Sequence, residues 1–391
     1  MPLICDQCGR DHLEFMYEPE GGTRGLKVYL CGHCGLVQSL PRVARTKERH
    51  SAAVSGGADW GNVRYGKGFR TQEAMDALAR RVDLSQPLSL LDVGSNRGSF
   101  AKAFVTAAPM ATVTAVEPDE RYADSAANLA RTTLIQARIE NTSLAAESFD
   151  IVHSCHTIEH LAEPFAALKD HARVLKTGGL LVIDAPNLAL LGGDDIVEEW
   201  FIDKHLFHFS AGALRSMIEA AGFEIIEAND PQDAVNLLFV ARKSGKPKGV
   251  ILFNPDEVLA ARDLLQRYQA TRARNLAALH SAAAALNAMA PKRLALWGAG
   301  RLFDLLVREG GFEPKTLALL IDTHLKKHMS ERHGVSLSDA QALSQTPVDA
   351  VIVMSRMFAD EIAAEVKIRA PKAEIILYAD LLARARLAKA A

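Results

Sequence analysis

Residues 90–100 read LLDVGSNRGSF. An apolar run ends at Asp92 and then breaks at Gly94 and Gly98, a pattern typical of a strand followed by a turn that passes close to a ligand. A phosphate-binding loop would need a Gly-Lys-Ser/Thr ending and a dinucleotide fingerprint would need a third glycine, and this stretch has neither. The flanking sequence therefore has to decide which ligand the turn serves.

Residues 60–243 alternate short apolar runs with helical patterns. The strand-like runs include LSLLDVG, TVTAVEP, FDIVHSC and GGLLVIDAP, and the helical patterns include TQEAMDALARRV, RYADSAANLA and FAALKDHARVLK. A further helix is predicted after Ser210, which is a good N-cap residue. This alternation predicts an α/β fold built on a doubly wound parallel sheet.

The strand-like run after the turn ends at Glu117, about 20 residues further on, where a carboxylate can accept both hydroxyls of a ribose. A strand, a glycine turn, a helix, a second strand and an acid in this order indicate an adenosine-containing ligand. Because the turn has no lysine for phosphates and no third glycine for a pyrophosphate, an adenosine cofactor without phosphate fits best. S-adenosylmethionine is such a cofactor.

Successive segments of residues 60–243 resemble the motifs of class I S-adenosylmethionine-dependent methyltransferases: LLDVGSNRG, AVEPD, QARIE, FDIVHSCHTIEHL and VLKTGGLLVIDAPN. The resemblance implies a Rossmann-like methyltransferase sheet. It also implies cofactor contacts at Asp92, Gly94, Ser95, Asn96, Gly98, Glu117, Pro118, Arg138, Ile139, Ser154 and His156. Tyr65, just before the sheet, is either a residue that closes over the cofactor or a core tyrosine.

Two Cys-x-x-Cys pairs lie near the N-terminus, CDQC (Cys5, Cys8) and CGHC (Cys31, Cys34). Each pair at this spacing places two thiolates on a tight knuckle, and two knuckles complete a tetrahedral zinc site. Four thiolate ligands leave no open position, so the zinc is expected to be structural. Two disulfides are the alternative, which the absence of a secretion signal in MPLICDQCGR disfavours. Residues 1–50 are therefore predicted to form a zinc ribbon.

The C-terminal part of the chain begins after a basic, glycine-bearing linker, KSGKPKG. Residues 250–290, rich in Ala, Leu and Arg, are predicted to form a helical connector or a dimer contact in a homo-oligomer. Residues 291–391 are predicted to form a Rossmann-like α/β domain, with a glycine turn (WGAG) after one strand and Asp322 at the end of the next. Phe303 stands at the third glycine position, which leaves open whether this domain binds a nucleotide or only makes a tight turn.

A narrower resemblance extends over nearly the whole chain. The order of a four-cysteine module, a methyltransferase with GSN-x-G at its first turn and a Rossmann-like C-terminal domain is similar to the sugar C-methyltransferases that act on nucleotide-linked keto sugars. The resemblance implies that a Tyr-x-Glu-His segment supplies catalytic groups. In this sequence His205 matches the histidine, but Ile202 stands at the tyrosine position and Lys204 at the glutamate position. Asp203 is the nearby acid that could replace the glutamate.

His205 is predicted to act as a general base, because imidazole titrates close to neutrality. It would remove a proton either from a carbon next to a carbonyl or from a hydroxyl, and the sequence leaves carbon and oxygen methylation open. His160 is the second catalytic candidate, with a structural role at the start of a helix as the alternative. The segment HTIEH around it also fits a zinc-protease pattern, but that pattern needs the middle of a helix and this run leaves a strand.

The chain has 391 residues and 45 basic against 47 acidic side chains, which gives no electrostatic reason to expect nucleic acid. No apolar run approaches the roughly 20 residues of a membrane helix, so a cytoplasmic protein is expected. We expect a small acceptor, sugar-derived or nucleotide-linked. Two alternatives stay open, a non-catalytic scaffold that binds the cofactor and a zinc-ribbon RNA methyltransferase that uses the basic residues Arg42, Arg45, Lys47 and Arg49.

Overall fold

The computed structural model describes residues 3–19, 25–41, 66–122, 128–201, 205–231, 235–245, 249–289, 292–356 and 358–390. Several residues singled out in the sequence lie outside these ranges, namely Tyr65, Ile202, Asp203, Lys204, Arg42, Arg45, Lys47 and Arg49. Their roles stay predictions. The chain divides into two compact units, residues 1–190 with 201–265 and residues 191–200 with 266–391.

The first unit holds two sheets and the helices around them. Its strands are β1 (Leu13–Tyr17), β2 (Lys27–Cys31), β3 (Val37–Leu40), β4 (Ser89–Val93), β5 (Thr112–Val116), β6 (Thr132–Ile135), β7 (Phe149–Cys155), β8 (Leu175–Pro186), β9 (Phe207–His208), β10 (Phe223–Ala228) and β11 (Asn236–Lys243). Its helices are α1 (Gly66–Ala79), α2 (Ser99–Ala107), α3 (Pro164–Val174), α4 (Ala211–Ala220) and the first part of α5 (Pro255–Asn287), which continues into the second unit.

The larger sheet has the strand order β10-β11-β8-β7-β4-β5-β6. Strands β6, β5, β4, β7 and β8 are parallel to one another, which confirms the α/β fold expected from the alternating pattern. The last two strands instead run antiparallel, β11 against β8 and β10 against β11. The connection between β10 and β11 is too short for a crossover, so the chain has to reverse direction there.

Both faces of the larger sheet are covered. Leu90 and Val182 belong to a core that includes Phe104 of α2. Their chain neighbours, Leu91 and Leu181, belong to the core on the other face. Because successive strand residues point to opposite faces, near-continuous apolar strands of this kind are expected where helices pack on both sides.

The helices predicted over TQEAMDALARRV, over FAALKDHARVLK and after Ser210 correspond to α1, α3 and α4. Ser210 caps α4, since its hydroxyl oxygen accepts a hydrogen bond from the Ala213 amide. The connector is one 33-residue helix. The stretch RYADSAANLA begins within a 3₁₀ turn at Glu120–Tyr122, and residues 123–127 lie outside the described ranges, so the helix expected there stays a prediction. In the described ranges no helix has both the length and the apolar character needed to cross a bilayer.

The smaller sheet of the first unit has the order β1-β2-β3-β9 with antiparallel neighbours. Three of its strands belong to the four-cysteine module at the N-terminus. The fourth, β9, comes from the middle of the chain, just after His205. The module therefore shares backbone hydrogen bonds with a segment for which the sequence predicts a catalytic role.

The second unit contains a six-stranded sheet of order β14-β15-β13-β12-β16-β17. Its strands are β12 (Leu294–Trp297), β13 (Leu319–Ile321), β14 (Glu331–Arg332), β15 (Val335–Ser338), β16 (Ala350–Val353) and β17 (Glu374–Leu377), and its other helices are α6 (Arg301–Arg308), α7 (Ala342–Gln345), α8 (Ala359–Arg369) and α9 (Tyr378–Ala390). The α/β character predicted for this region is confirmed.

The glycine turn of the second unit is held by its own chain. Gly298 has a φ of +109°, and a Cβ there would lie 2.7 Å from the carbonyl oxygen of Met354, so the position requires glycine. Asp322 accepts hydrogen bonds from the amides of Ala299 (3.2 Å) and Leu325 (3.0 Å). These contacts explain both motif residues as turn formers, and nucleotide binding by this unit stays a prediction.

Candidate active site

The turn after β4 is built from residues in the left-handed region. Gly94, Asn96 and Gly98 have φ values of 71°, 50° and 73°. A Cβ on Gly94 would lie 2.1 Å from Oγ1 of Thr157, so no larger residue fits. Asparagine tolerates this backbone conformation better than most residues, which accounts for Asn96 between the two glycines. The turn is therefore compact, and its amides from Gly94 to Gly98 donate hydrogen bonds within the chain.

Glu117 fixes that turn to the end of β5. Its carboxylate is buried and accepts hydrogen bonds from the amides of Asn96 (2.7 Å) and Asp119 (2.9 Å). Pro118, which follows it, is exposed. The structure thus brings Glu117 to the glycine turn, as the order of motifs predicts, and the turn's own amides orient its carboxylate.

Several buried polar atoms beside the turn have no hydrogen-bond partner among the described residues: Asp92 Oδ2, Ser95 Oγ and Ser154 Oγ. The other oxygen of Asp92 lies 2.7 Å from Nδ1 of His153, whose ring stacks on Phe100. A buried polar atom left unpaired costs about 1–3 kcal/mol. A polar ligand bound at the turn would therefore provide hydrogen-bond partners for these three atoms at the ends of β4 and β7.

The adenine side of the predicted site is formed after β6. Ile139 is buried at the start of the 3₁₀ turn Ile139–Asn141. Arg138 precedes it, and its guanidinium is 2.9 Å from a carboxylate oxygen of Glu140. Ile139 therefore offers an apolar surface, whereas the charged end of Arg138 is engaged by its neighbour.

His156 lies immediately after β7 in a strained conformation, with a φ of 47°. Its Nε2 is 2.8 Å from the side-chain oxygen of Asn236 and 3.2 Å from Oδ1 of Asp184, and its Nδ1 is 3.6 Å from Oε1 of Glu159. A non-glycine residue in this backbone region costs on the order of 1–3 kcal/mol and is common at functional sites. The ring of His156 is thus hydrogen-bonded to the Asn236 amide and lies beside two buried carboxylates, those of Asp184 and Glu159.

Sequence reasoning missed three of these partners. Asp184 follows the apolar run LLVI just as Asp92 follows the apolar pair LL, so this pattern could have identified Asp184 as a site residue. Glu159 stands out in the sequence only as part of the protease-like pattern HTIEH. Asn236 carries no local signal, because it reaches His156 from β11, far along the chain.

The two predicted catalytic histidines lie together. The rings of His160 and His205 have centroids 4.8 Å apart, and Nε2 of His160 is 3.6 Å from Oε1 of the buried Glu159. The ligand atoms of Glu159, His160 and His205 lie within 4.8 Å of one another. A single ion with bonds of ~2.1 Å would need such atoms within about 4.2 Å of one another. The observed spacing therefore suits a hydrogen-bonded cluster, and the three side chains would have to move closer together to bind a metal.

The four N-terminal cysteines form a second group of matched ligands. The sulfurs of Cys5 and Cys34 are 3.7 Å apart and those of Cys8 and Cys31 are 3.6 Å apart. Tetrahedral zinc with bonds of ~2.3 Å places its sulfurs about 3.75 Å apart, whereas a disulfide would need ~2.05 Å. The spacing therefore fits four thiolates around one structural zinc, and all four cysteines are free.

Residues 67–228 match a family model described as a methyltransferase domain. The chain carries a methyltransferase domain. Together with the sheet order and the glycine turn, this match identifies the domain as class I and S-adenosylmethionine-dependent. The family model covers this part of the chain and leaves the methyl acceptor open.

Curated relatives of the methyltransferase domain include an uncharacterized methyltransferase of Mycolicibacterium vanbaalenii, 36% identical over 25% of this chain and 38% of that protein. A ubiquinone biosynthesis O-methyltransferase of Parvibaculum lavamentivorans is 31% identical over 31% of this chain and 49% of that protein. The chain thus spans less than half the length of either relative.

Similar solved structures include S-adenosylmethionine-dependent methyltransferases from Mesorhizobium loti and Aquifex aeolicus. The first is 17% identical with a TM-score of 0.36, covering 43% of this chain and 96% of that chain. The second is 17% identical with a TM-score of 0.35, covering 43% of this chain and 88% of that chain.

Proposed function

We propose that the protein transfers a methyl group from S-adenosylmethionine to a small sugar-derived or nucleotide-linked acceptor. The observation that carries the proposal is the group of polar side chains at the carboxyl ends of β7 and β8, beside the glycine turn. His156 is hydrogen-bonded to Asn236 and lies 3.2 Å from a carboxylate oxygen of Asp184 and 3.6 Å from one of Glu159. Imidazole, carboxylate and amide groups suit an acceptor rich in hydroxyls, whereas a flat apolar acceptor would offer them few partners.

The residues around the turn fit the cofactor. S-adenosylmethionine, when bound, supplies an electrophilic methyl group on a positively charged sulfur. Asp92, beside the glycine turn, would hold its amino-acid end, Glu117 the ribose hydroxyls and Ile139 the adenine. The unpaired hydroxyls of Ser95 and Ser154 would complete their hydrogen bonds there.

His205 is the proposed general base. Its imidazole accepts a proton either from a carbon next to a carbonyl or from a hydroxyl of the acceptor, and the acceptor atom keeps the electron pair with which it takes the methyl group. His160 and the buried Glu159 lie beside it and stabilise the imidazolium that forms. Alignment of the acceptor with the methyl carbon contributes more than new covalent chemistry in such a transfer.

Solvent exchange tests the role of His205 and distinguishes the two acceptor classes. The enzyme is incubated in D₂O with nucleotide-linked keto sugars and without cofactor, and deuterium incorporation next to the carbonyl is followed by mass spectrometry. Carbon methylation predicts exchange by the natural enzyme and by the exposed-histidine control His280→Asn, but not by His205→Asn. Oxygen methylation predicts no exchange by any variant, with methyl transfer to a hydroxyl still lost in His205→Asn. Normal transfer by His205→Asn contradicts the proposal.

A further inference from the structure

The segment that carries His205 is built into the sheet of the four-cysteine module. Strand β9 pairs with β3, with Val37 opposite His208 and Gln38 opposite Phe207. The amide of Ser39 also donates to the carbonyl of Leu206 at 2.9 Å. A strand of the module is therefore paired with residues 206–208, directly after His205, while Phe209 bridges to Asn187 at the end of β8.

The same peptide is tied to the methyltransferase domain on its other side. The amide of Leu206 donates to the carbonyl of Glu159 at 2.9 Å. Leu206 thus bridges β3 of the module and the turn that carries Glu159 and His160. Any shift of β3 would change the position of His205 relative to these two side chains.

A buried side-chain pair reinforces this link. The hydroxyl of Ser39 lies 2.9 Å from Nε2 of His208, and both residues are buried. Burial lowers the pKa of His208 to about 3, so the ring is neutral in the folded protein at ordinary pH. The hydrogen bond joins two neutral groups and is retained over the pH range in which the enzyme would work.

The cysteine knuckle determines where β3 begins. The amide of Cys31 donates to the carbonyl of Leu36, and the amide of Gly35 donates to the carbonyl of Cys31. Both bonds close the turn between β2 and β3 that presents Cys31 and Cys34 to the metal. A bound zinc would fix this turn, whereas the four thiol groups, three of them buried, would have no common partner without it.

The cofactor turn is held by different contacts. The amide of Gly94 donates to the carbonyl of Val116 at 2.8 Å, and the amide of Asn96 donates to Glu117. These contacts lie within the methyltransferase sheet. Cofactor binding is therefore expected to be insensitive to changes in β3.

We propose that the zinc module positions the proposed base, with Ser39 as the positioning residue that couples β3 to the segment of His205. This inference rests on the role proposed for His205, but its central test needs no acceptor. Zinc would act through β3, without touching cofactor or acceptor.

The first experiment compares Ser39→Ala with Ser355→Ala, a control that removes another buried, hydrogen-bonded serine hydroxyl. Zinc content, the Kd for S-adenosylmethionine and hydrogen exchange are measured on the full chain. Ser39→Ala is expected to keep its zinc and its Kd while exchange at residues 205–209 rises roughly fivefold to tenfold, as expected when one buried hydrogen bond is lost. Unchanged exchange at residues 205–209, or an equal rise at residues 94–98, overturns the inference.

The second experiment removes the metal, by chelation and separately by Cys31→Ser. Exchange at residues 205–209 is expected to rise while the Kd for the cofactor stays within about twofold. Where an acceptor has been found, kcat should fall on the order of 100-fold, the effect of misplacing a reacting group by about 1 Å, with the KM for cofactor unchanged. A metal-free chain with unchanged exchange at residues 205–209 contradicts the inference and leaves the proposed methyl transfer intact.

Discussion

Replacing Gly94 by alanine tests the geometry of the cofactor turn. The substitution places an L-residue at a φ of +71° and a methyl group 2.1 Å from Oγ1 of Thr157. The left-handed conformation costs roughly 1–2 kcal/mol, and overpacking a filled site costs about 1–3 kcal/mol more. We therefore expect the free energy of unfolding to fall by ~2–5 kcal/mol, with weaker binding of S-adenosylmethionine.

Gly178→Ala is the matched control, because Gly178 has a φ of +78° and no atom lies within 4 Å of the position that a methyl group would take there. It should lose only the conformational part, ~1–2 kcal/mol, and keep its affinity for the cofactor. The clash is isolated by combining Gly94→Ala with Thr157→Ala, which should recover much of the additional loss. Native-state hydrogen exchange of β4 and β7 measures stability, and calorimetry measures binding. If the two glycine variants lose the same free energy of unfolding, or if the double variant recovers none of it, a clash with Thr157 does not explain the need for glycine at position 94.

Glu117→Gln should weaken cofactor binding by roughly 10- to 100-fold, the effect of losing hydrogen bonds to a charged group, whereas the exposed Glu163→Gln should not; unchanged calorimetric affinity would count against the ribose assignment. Burial lowers the pKa of His171 from 6.5 to about 4, so as the pH falls the unfolded chain binds a proton at His171 before the folded chain does. Its contribution to stability is present above pH 6.5 and is lost at about 1.4 kcal/mol per pH unit as pH falls towards 4, and urea unfolding of His171→Leu should show a shallower loss. Elemental analysis should find one zinc per chain; a second ion that is lost in Glu159→Gln would show that His205 is a metal ligand and not a general base.

The parts of the structure that could be predicted from the sequence are those with local signals. Asp92 and Glu117 each end an apolar run at a spacing fixed by strand, turn and helix lengths, so their meeting at one edge of the sheet follows from the pattern. The cysteine pairs are similar, because a knuckle needs its two thiolates only a few residues apart. In both cases the groups that meet are separated by few residues in the sequence.

The parts that could not be predicted depend on contacts between distant segments. Strand β9 has only two residues, Phe207 and His208, and nothing in their pattern indicates pairing with β3 at the other end of the domain. Asn236 likewise reaches His156 only because β11 lies beside β8. Tertiary packing decides such pairings, so local propensity carries little information about them.

Methyl transfer to a sugar-derived or nucleotide-linked acceptor is tested by incubating the full chain with S-adenosylmethionine that carries a deuterated methyl group. Three acceptor pools are used separately: nucleotide sugars, quinone precursors and RNA. Mass spectrometry then identifies which molecules gain the label. Label is expected in a sugar or nucleotide-linked product, with none formed by His205→Asn. Label confined to RNA or to quinone precursors, or bound cofactor with no labelled product in any pool, would contradict the proposed function.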